Sequence, residues 1–398
     1  MNRCIFLAAL LVATPAQAGR LEYRQTLPVV YLEGPPYELG RQHGELLRDE
    51  VRGCTAQLLG YFRTYLKFPL LNRLAANWWL DRPWQEVRPF LPREYLEELR
   101  GLSEGSGVAL KELWRVHAVP DRTYACSGFM AWGKATASGQ LIHTRNLDWN
   151  IHVGIQRRAA VFVVRPAGKQ AFVSAGWAGF VGVLTGVNEQ GISIGQIGAE
   201  TVDVSWRGLP MAFLMRQVLE DSAGLDDAVG LITQAPRTVG VNYLVADAQA
   251  KRGVAIETTR RLSALFEAND PKEQGVRDAR PMDDVVFRAD TAMDTAIRDR
   301  QLASGGDPRR PGLEPPSGSA YAVRYLKQAE GIRERYGRID LEHARAIMQS
   351  VAPDSNVQSV VFAWPDIWIA NAQGTTPAAQ TPYHRLDLEE LFRGVTRR

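Results

Sequence analysis

The chain has 398 residues and a formal net charge of only +3, so its length suits one large domain or two ordinary ones and its charge nominates no polyanionic partner. Apolar residues make up 45% of it, which excludes a disordered chain and leaves ample material for a core. Basic residues come in small groups such as Arg309-Arg310 and Arg397-Arg398 without interleaved aromatics, so no nucleic-acid groove is expected.

Residues 1–18 stand apart. Asn2-Arg3 precede an apolar run from Cys4 to Val12, and Pro15-Ala16-Gln17-Ala18 ends on a small-residue cleavage point before Gly19, the pattern of a secretory signal. No later run approaches ~18 uninterrupted apolar residues, so the mature chain is expected to be secreted or periplasmic, without a stable membrane anchor. Cys4 lies ahead of the apolar run rather than at the cleavage point, which argues against a lipid anchor. Cys54 and Cys126 then remain. One bridge is not a disulfide framework and would consume a nucleophile, so both are expected to be free.

A short strand near Val29-Leu32 opens the mature chain. From Gly34 to Phe68 the apolar positions Leu39, Leu46, Leu47, Val51, Leu58 and Phe62 recur at helical spacing, which predicts one long amphipathic helix with Cys54 on its buried stripe. Further helix is predicted through Trp78-Trp79 and from Pro92 to Val116. The pattern then changes to short β-rich runs at Phe129-Trp132, Leu141-Asp148, Ala160-Val164, Gln170-Ala175 and Gly182-Val187, separated by Gly, Asn or Pro. These read as a meandering antiparallel sheet. Helices follow at Pro210-Asp221 and Leu225-Gln234, then strands at Asn242-Ala246, Val254-Thr258 and Ser263-Glu267. Ser304-Ser319 reads as an exposed Gly/Pro/Arg-rich loop. A helix around Tyr321-Tyr336, another from an Asp340 N-cap to Ser350, and strands at Val357-Ala363 and Ile367-Asn371 close the chain. Strands, helices and strands again predict a layered α+β sandwich.

Three readings compete for the chemistry. Gly191-Ile192-Ser193-Ile194-Gly195 matches the nucleophile-elbow pattern of serine hydrolases, yet an elbow needs a helix after the serine, and here Ile192, Ile194 and Ile197 continue as strand. Cys126 could pair with His143 or His152 in the papain manner. All six histidines are scattered without metal-ligand spacing, so no metal or other cofactor is expected. The third reading sets Cys126 beside Arg145 and Asp148 across a hairpin. With Ser138-Gly139 as the turn, Cys126 falls roughly opposite Ile151. Because side chains alternate between faces, Arg145 and Asp148 cannot both face Cys126 on a flat strand, and one must sit at a bulge or strand end. A cation and a hydrogen-bonding anchor beside a thiol suit a nucleophile. The same residues would also serve as a surface salt bridge next to a core cysteine.

Several motifs, in order, resemble the penicillin acyltransferase-like branch of the N-terminal nucleophile (Ntn) hydrolases, relatives of choloylglycine hydrolases and acid ceramidases. They are Glu33-Gly34-Pro35-Pro36-Tyr37-Glu38-Leu39-Gly40-Arg41-Gln42-His43-Gly44, Cys126-Ser127, Arg145-Asn146-Leu147-Asp148-Trp149, Gly186-Val187-Asn188-Glu189-Gln190-Gly191-Ile192 and Val241-Asn242-Tyr243-Leu244-Val245-Ala246-Asp247. The resemblance implies a four-layer αββα sandwich preceded by a mostly helical segment, residues 19–125, with residues 126–398 as the catalytic region. It also implies self-cleavage between Ala125 and Cys126, the two pieces staying associated. The freed α-amine, with an ordinary pKa of about 7.7–8.0, would then serve as the thiol's own base. By the same resemblance Asp148 would hold that amine, Arg145 would favour the thiolate, Asn242 would donate to the oxyanion, and Arg324 would support the site.

The chain also departs from the family. Gln196-Ile197-Gly198 stands where relatives often carry an asparagine as a second oxyanion contact, and Arg288-Ala289-Asp290-Thr291 stands where they commonly show Thr-Asn-His. The expectation is a hydrolase of non-peptide linear amides acting on small N-acylated molecules through an acyl-enzyme on Cys126. Acyl transfer, a serine hydrolase using Ser193, and a non-catalytic exported binding protein are the alternatives. For long acyl chains, the helical segment and the strands near Trp177-Phe180 would line an apolar pocket.

Overall fold

The computed structural model describes residues 19–63, 69–120, 125–301 and 320–395. The expected signal at 1–18 and the expected loop at 304–319 lie outside the described residues.

Two strands, β1 (Arg20–Arg24) and β2 (Leu27–Gly34), precede the helices α1 (Pro36–Leu46), α2 (Arg48–Arg63), α3 (Pro69–Val87), α4 (Arg93–Ser106) and α5 (Leu110–His117). Next come β3 (Ala125–Ala131), β4 (Ile142–Asp148), β5 (Ala159–Pro166), β6 (Phe172–Trp177), β7 (Thr185–Asn188) and β8 (Ile192–Gly198). After α6 (Met211–Asp221) and α7 (Leu225–Gln234) run β9 (Val241–Asp247), β10 (Arg252–Thr258), β11 (Ser263–Phe266), β12 (Val285–Ala289) and the short α8 (Thr295–Arg298). The described chain ends with α9 (Ala320–Arg335), α10 (Leu341–Val351), β13 (Asn356–Ala363), β14 (Asp366–Asn371), β15 (His384–Asp387) and α11 (Leu388–Gly394).

The strands form two sheets. One has nine strands in the order β1-β2-β5-β6-β7-β8-β9-β10-β11, and the other six in the order β12-β3-β4-β13-β14-β15. They face each other through β3, β4 and β12 on one side and β8, β9 and β10 on the other. Helices α9 and α10 cover the six-stranded sheet, and α1, α6 and α7 pack on the nine-stranded one. The result is an αββα sandwich. The central strands β4, β8 and β9 are buried along their whole length, as strands covered on both faces must be.

The segment before Cys126 is not purely helical, because β2 lies parallel to β5, with Val29 opposite Val161 and Gly34 opposite Pro166. The predicted long helix from Gly34 is also two helices, broken at Leu47. The first crosses α4 so closely that neither helix can carry side chains at the crossing. A Cβ on Gly40 would lie 1.8 Å from the Glu98 carbonyl oxygen, and one on Gly101 would lie 2.0 Å from that of Tyr37. Gly44 and Gly105, one turn on, meet backbone at 2.5 and 2.4 Å. The opening motif therefore supplies two of the four glycines of this crossing.

The β3–β4 hairpin differs from expectation. Cys126 lies opposite Leu147, not Ile151, and Ala131 pairs with Ile142, so the connection spans residues 132–141. Ser138-Gly139 is not a tight two-residue turn. A short 3-10 turn at Gly133–Ala135 and a parallel bridge from Thr136 to Ile339 take up the extra residues. No helix among the described residues is long and apolar enough to cross a membrane.

Candidate active site

Cys126 is the second residue of β3, fully buried near the strand's start, and its neighbours divide by strand face. Partners in an antiparallel pair share a face, so Cys126, Leu147, Gly128 and Arg145 look toward the nine-stranded sheet, while Ala125, Ser127, Asn146 and Asp148 look toward the helices.

On the inner face, Arg145 Nη2 donates to Cys126 Sγ at 3.1 Å and to Gln196 Oε1 at 2.8 Å, and the thiol lies 3.2 Å from the same Gln196 oxygen. Thr185 Oγ1 and the Gln196 carbonyl accept from the rest of the guanidinium, at 2.6 and 3.1 Å. Arg145 is thus fixed in a plane beside the sulfur. Because the Gln196 oxygen is held by Arg145, its Nε2 is defined as the remaining donor. It is buried and has no hydrogen-bond partner among the described residues.

On the outer face, Asp148 is the last residue of β4, and β13 changes register opposite it, between Asn356 and Gln358. Its carboxylate accepts from Asn356 Nδ2 at 2.9 Å and forms an ion pair with Arg324. Arg324, from α9, also donates to Ser127 Oγ at 2.9 Å and to Asp290 Oδ2 at 3.0 Å. The other Asp290 oxygen accepts the backbone N–H of Cys126 at 2.8 Å. The carboxylate on that nitrogen is therefore Asp290, one residue past β12, with a positive φ of 48° that non-glycine residues seldom adopt. Asn242 sits on β9 with its amide nitrogen donating to the Thr291 carbonyl at 3.1 Å, next to Asp290.

Burial dominates the electrostatics. It pushes the Cys126 thiol up to about 12, against the opposing pull of Arg145, so the buried thiol is held protonated. Burial also raises Asp290 to about 7, although Arg324 and the Cys126 N–H favour its charged form. His143 does not pair with Cys126. Its Nδ1 lies 2.8 Å from Ser193 Oγ, between the sheets. Ser193 lies within strand β8, is buried, and is followed by more strand, so no elbow forms. His152 is exposed in a 3-10 turn after β4. Among the described residues no group of three or more His, Cys, Asp and Glu side chains could hold a metal ion.

An apolar cleft opens on the sulfur. Cys54 and Leu58 of α2, Val116, Val119, Pro120, Leu147, Trp149, Ile155, Trp177, Phe180, Leu184 and Met211 line it together with Cys126 and Gln196. Cys54 is thus a free, buried thiol in the wall, held protonated by burial. The Trp177–Val181 turn is fastened from the helical segment. The Gly179 N–H donates to His43 Nε2 and the Val181 N–H to His117 Nε2, each at 2.9 Å. A second, more polar cleft lies on the other side of Asp148 and Trp149, lined by Ala125, Asn150, His152, Glu200, Asp354 and Thr375.

Sequence reasoning brought Cys126, Arg145, Asp148 and Arg324 into one neighbourhood and missed Thr185, Ser127, Asn356 and the part played by Asp290. Asp290 had left a trace, as a departure from the family pattern.

Residues 135–272 match the family described as acyl-coenzyme A:6-aminopenicillanic acid acyl-transferase. That stretch holds Arg145, Asp148, Gln196 and Asn242 and begins just after Cys126. Protein dcd1B of Dictyostelium discoideum is 26% identical over 268 residues, covering 61% of this chain and 52% of that protein. N-acylethanolamine-hydrolyzing acid amidase of Rattus norvegicus is 24% identical over 223 residues, covering 53% and 58%. Acid ceramidase of Homo sapiens is 26% identical over 285 residues, covering 63% and 68%. The chain spans about half the length of the curated relatives it matches first. By these matches the chain is similar, over its central region, to the penicillin acyltransferase-like family and to amide hydrolases related to it.

Proposed function

We propose that this chain is an exported, self-processing cysteine amidohydrolase that cleaves the C–N bond of non-peptide N-acyl amides. The observation that carries the reading is the placement of Cys126, with its sulfur on Arg145 and Gln196 at the mouth of an apolar cleft and its nitrogen on a buried carboxylate. The names of two relatives, an N-acylethanolamine-hydrolyzing amidase and a ceramidase, agree with an N-acyl amide substrate.

The uncut chain is a latent form. The thiol attacks the Ala125 carbonyl carbon, the Ala125–Cys126 C–N bond breaks as the C–S bond forms, and the proton lost by sulfur balances the one gained by nitrogen. Water then hydrolyses the thioester. Cys126 is left with a free thiol and a basic α-amine, which converts a burial-silenced thiol into one with its own base. An N-acyl substrate places its chain in the apolar cleft and its carbonyl at the sulfur. Arg145 favours the thiolate, and the Gln196 Nε2 donor stabilises the oxyanion, with the second N–H of Asn242 Nδ2, whose first goes to the Thr291 carbonyl, as a further donor. The amine leaves with a proton, and water takes the acyl group.

Intact-mass measurement of the purified protein tests the reading. Two fragments are expected, the larger beginning at Cys126, with Cys126→Ala remaining whole. A single uncut wild-type chain that turns over no N-acyl amide would sink it. The family name mentions acyl transfer, so product analysis with added amine acceptors separates transfer from hydrolysis. Hydrolysis predicts free acid at all acceptor concentrations.

A further inference from the structure

Asp290 is not needed for the steps above as they stand, yet it is the most constrained acid in the site. It is buried, its backbone sits in the left-handed region, one carboxylate oxygen is tied to Arg324 at 3.0 Å and the other accepts the Cys126 N–H at 2.8 Å. A strained residue persists only where its surroundings over-determine it. Here the surroundings aim a carboxylate at the one backbone nitrogen that a cut would turn into an amine. Asp148 is differently committed. Its two oxygens are taken by Asn356 and Arg324, on the face of β4 opposite the sulfur.

We propose that Asp290, rather than Asp148, receives the α-amino group of Cys126 after the cut, holds it against the sulfur as an ammonium, and sets the pH at which the nucleophile switches on. The inference rests on the self-cleavage proposed above. A carboxylate within hydrogen-bonding distance favours the protonated amine and disfavours ionisation of the neighbouring thiol, so it raises both steps of the coupled pair. The other charges facing this point are Arg324 from α9, Asp148 at the end of β4, Glu200 after β8, and Arg145 on the sulfur side. Asp290→Asn leaves all of these in place. It can still accept the Cys126 N–H, so it removes charge while keeping shape. Asp290 then tunes the nucleophile through its amine.

The test needs no knowledge of the substrate. Cut wild-type protein, D290N, D290E and D148N are alkylated at Cys126 with iodoacetamide from pH 5 to 10, and cutting is followed by intact mass. The D290N midpoint is expected to fall by about one pH unit, that of D290E to stay near wild type, and that of D148N to move by less than half as much as D290N. A D290N protein that is cut but titrates like wild type overturns the proposal while leaving the amidohydrolase reading intact. So does a D148N shift as large as the one expected of D290N, which decides the matter even if D290N does not fold. If D290N stays whole while D290E is cut, the charge acts in the cut itself, and the anchoring role is overturned. A wild-type chain that is never cut removes both readings together.

Discussion

Two buried polar clusters in this molecule differ in what they leave unused. Under the nine-stranded sheet, Arg216 of α6 pairs with Glu98 of α4 at 2.6 Å and with Glu220 at 2.7 Å, Glu220 accepts from Tyr95 at 2.8 Å, and Arg216 Nη1 also donates to the Val181 carbonyl at 2.8 Å. His43 and His117 spend their Nε2 lone pairs on backbone N–H groups of the turn beside it. At Cys126 the guanidinium of Arg145 is equally saturated, but Gln196 Nε2 is left over, and a thiol sits where an aliphatic side chain would pack. The first cluster locks helices to a sheet. The second leaves a buried donor without a partner among the described residues, so the two should respond differently to truncation.

The sharpest way to break the comparison is Arg216→Ala, which leaves Glu98 and Glu220 as uncompensated buried carboxylates. Stability is expected to fall by about 3–5 kcal/mol, read as a lower midpoint in urea. Gln196→Ala should do the opposite. A loss of about 10²–10³ in kcat on an N-acyl amide is expected from one oxyanion donor, with only about 1 kcal/mol of stability. If Q196A unfolds easily and works normally, the contrast between the clusters is wrong. Gly101→Ala tests the α1–α4 crossing that brings Glu98 into place, since its Cβ would land 2.0 Å from a backbone oxygen. About 1–3 kcal/mol should be lost, the range for overpacking a rigid contact.

A further effect is expected in pH. Burial pushes His43 down to about 3 and His117 down to about 4, below the ordinary 6.5. A histidine depressed on folding contributes stability that is present above pH 6.5 and lost as pH falls toward these lower values. Urea midpoints should therefore decline from pH 7 to pH 4.5. In chains held uncut by Cys126→Ala, Asp290, raised to about 7, opposes that trend, because its contribution is complete below about 3.8 and lost as pH rises through 7. A rising or level midpoint on acidification would mean that the imidazoles are not held neutral.

The sandwich was legible because its strands alternate or run wholly apolar between Gly and Asn punctuation, and because α6, α7 and α10 carry apolar faces at helical spacing. The opening motif was recognisable before its reason was. Gly40 and His43 meet partners 58 and 136 residues away, and no local pattern announces those contacts. The hairpin register failed for a similar reason, since the β3–β4 connection is shaped by Ile339, some two hundred residues on. Asp290 stood out in the sequence only as part of a departure from the family pattern. Only the fold reveals that its carboxylate meets the nitrogen of Cys126.

The parallel pairing of β2 with β5 carries one more consequence. A break between residues 125 and 126 would create two polypeptides without creating two folding units. The shorter piece supplies an interior strand of a continuous sheet, both sides of a glycine-lined helix crossing, and the imidazoles that pin the cleft turn. Dilution would not separate such a pair. Its unfolding would nonetheless depend on protein concentration, because it releases two chains, and the longer piece made alone would expose the hydrogen-bonding edge of β5, ready to pair with another chain.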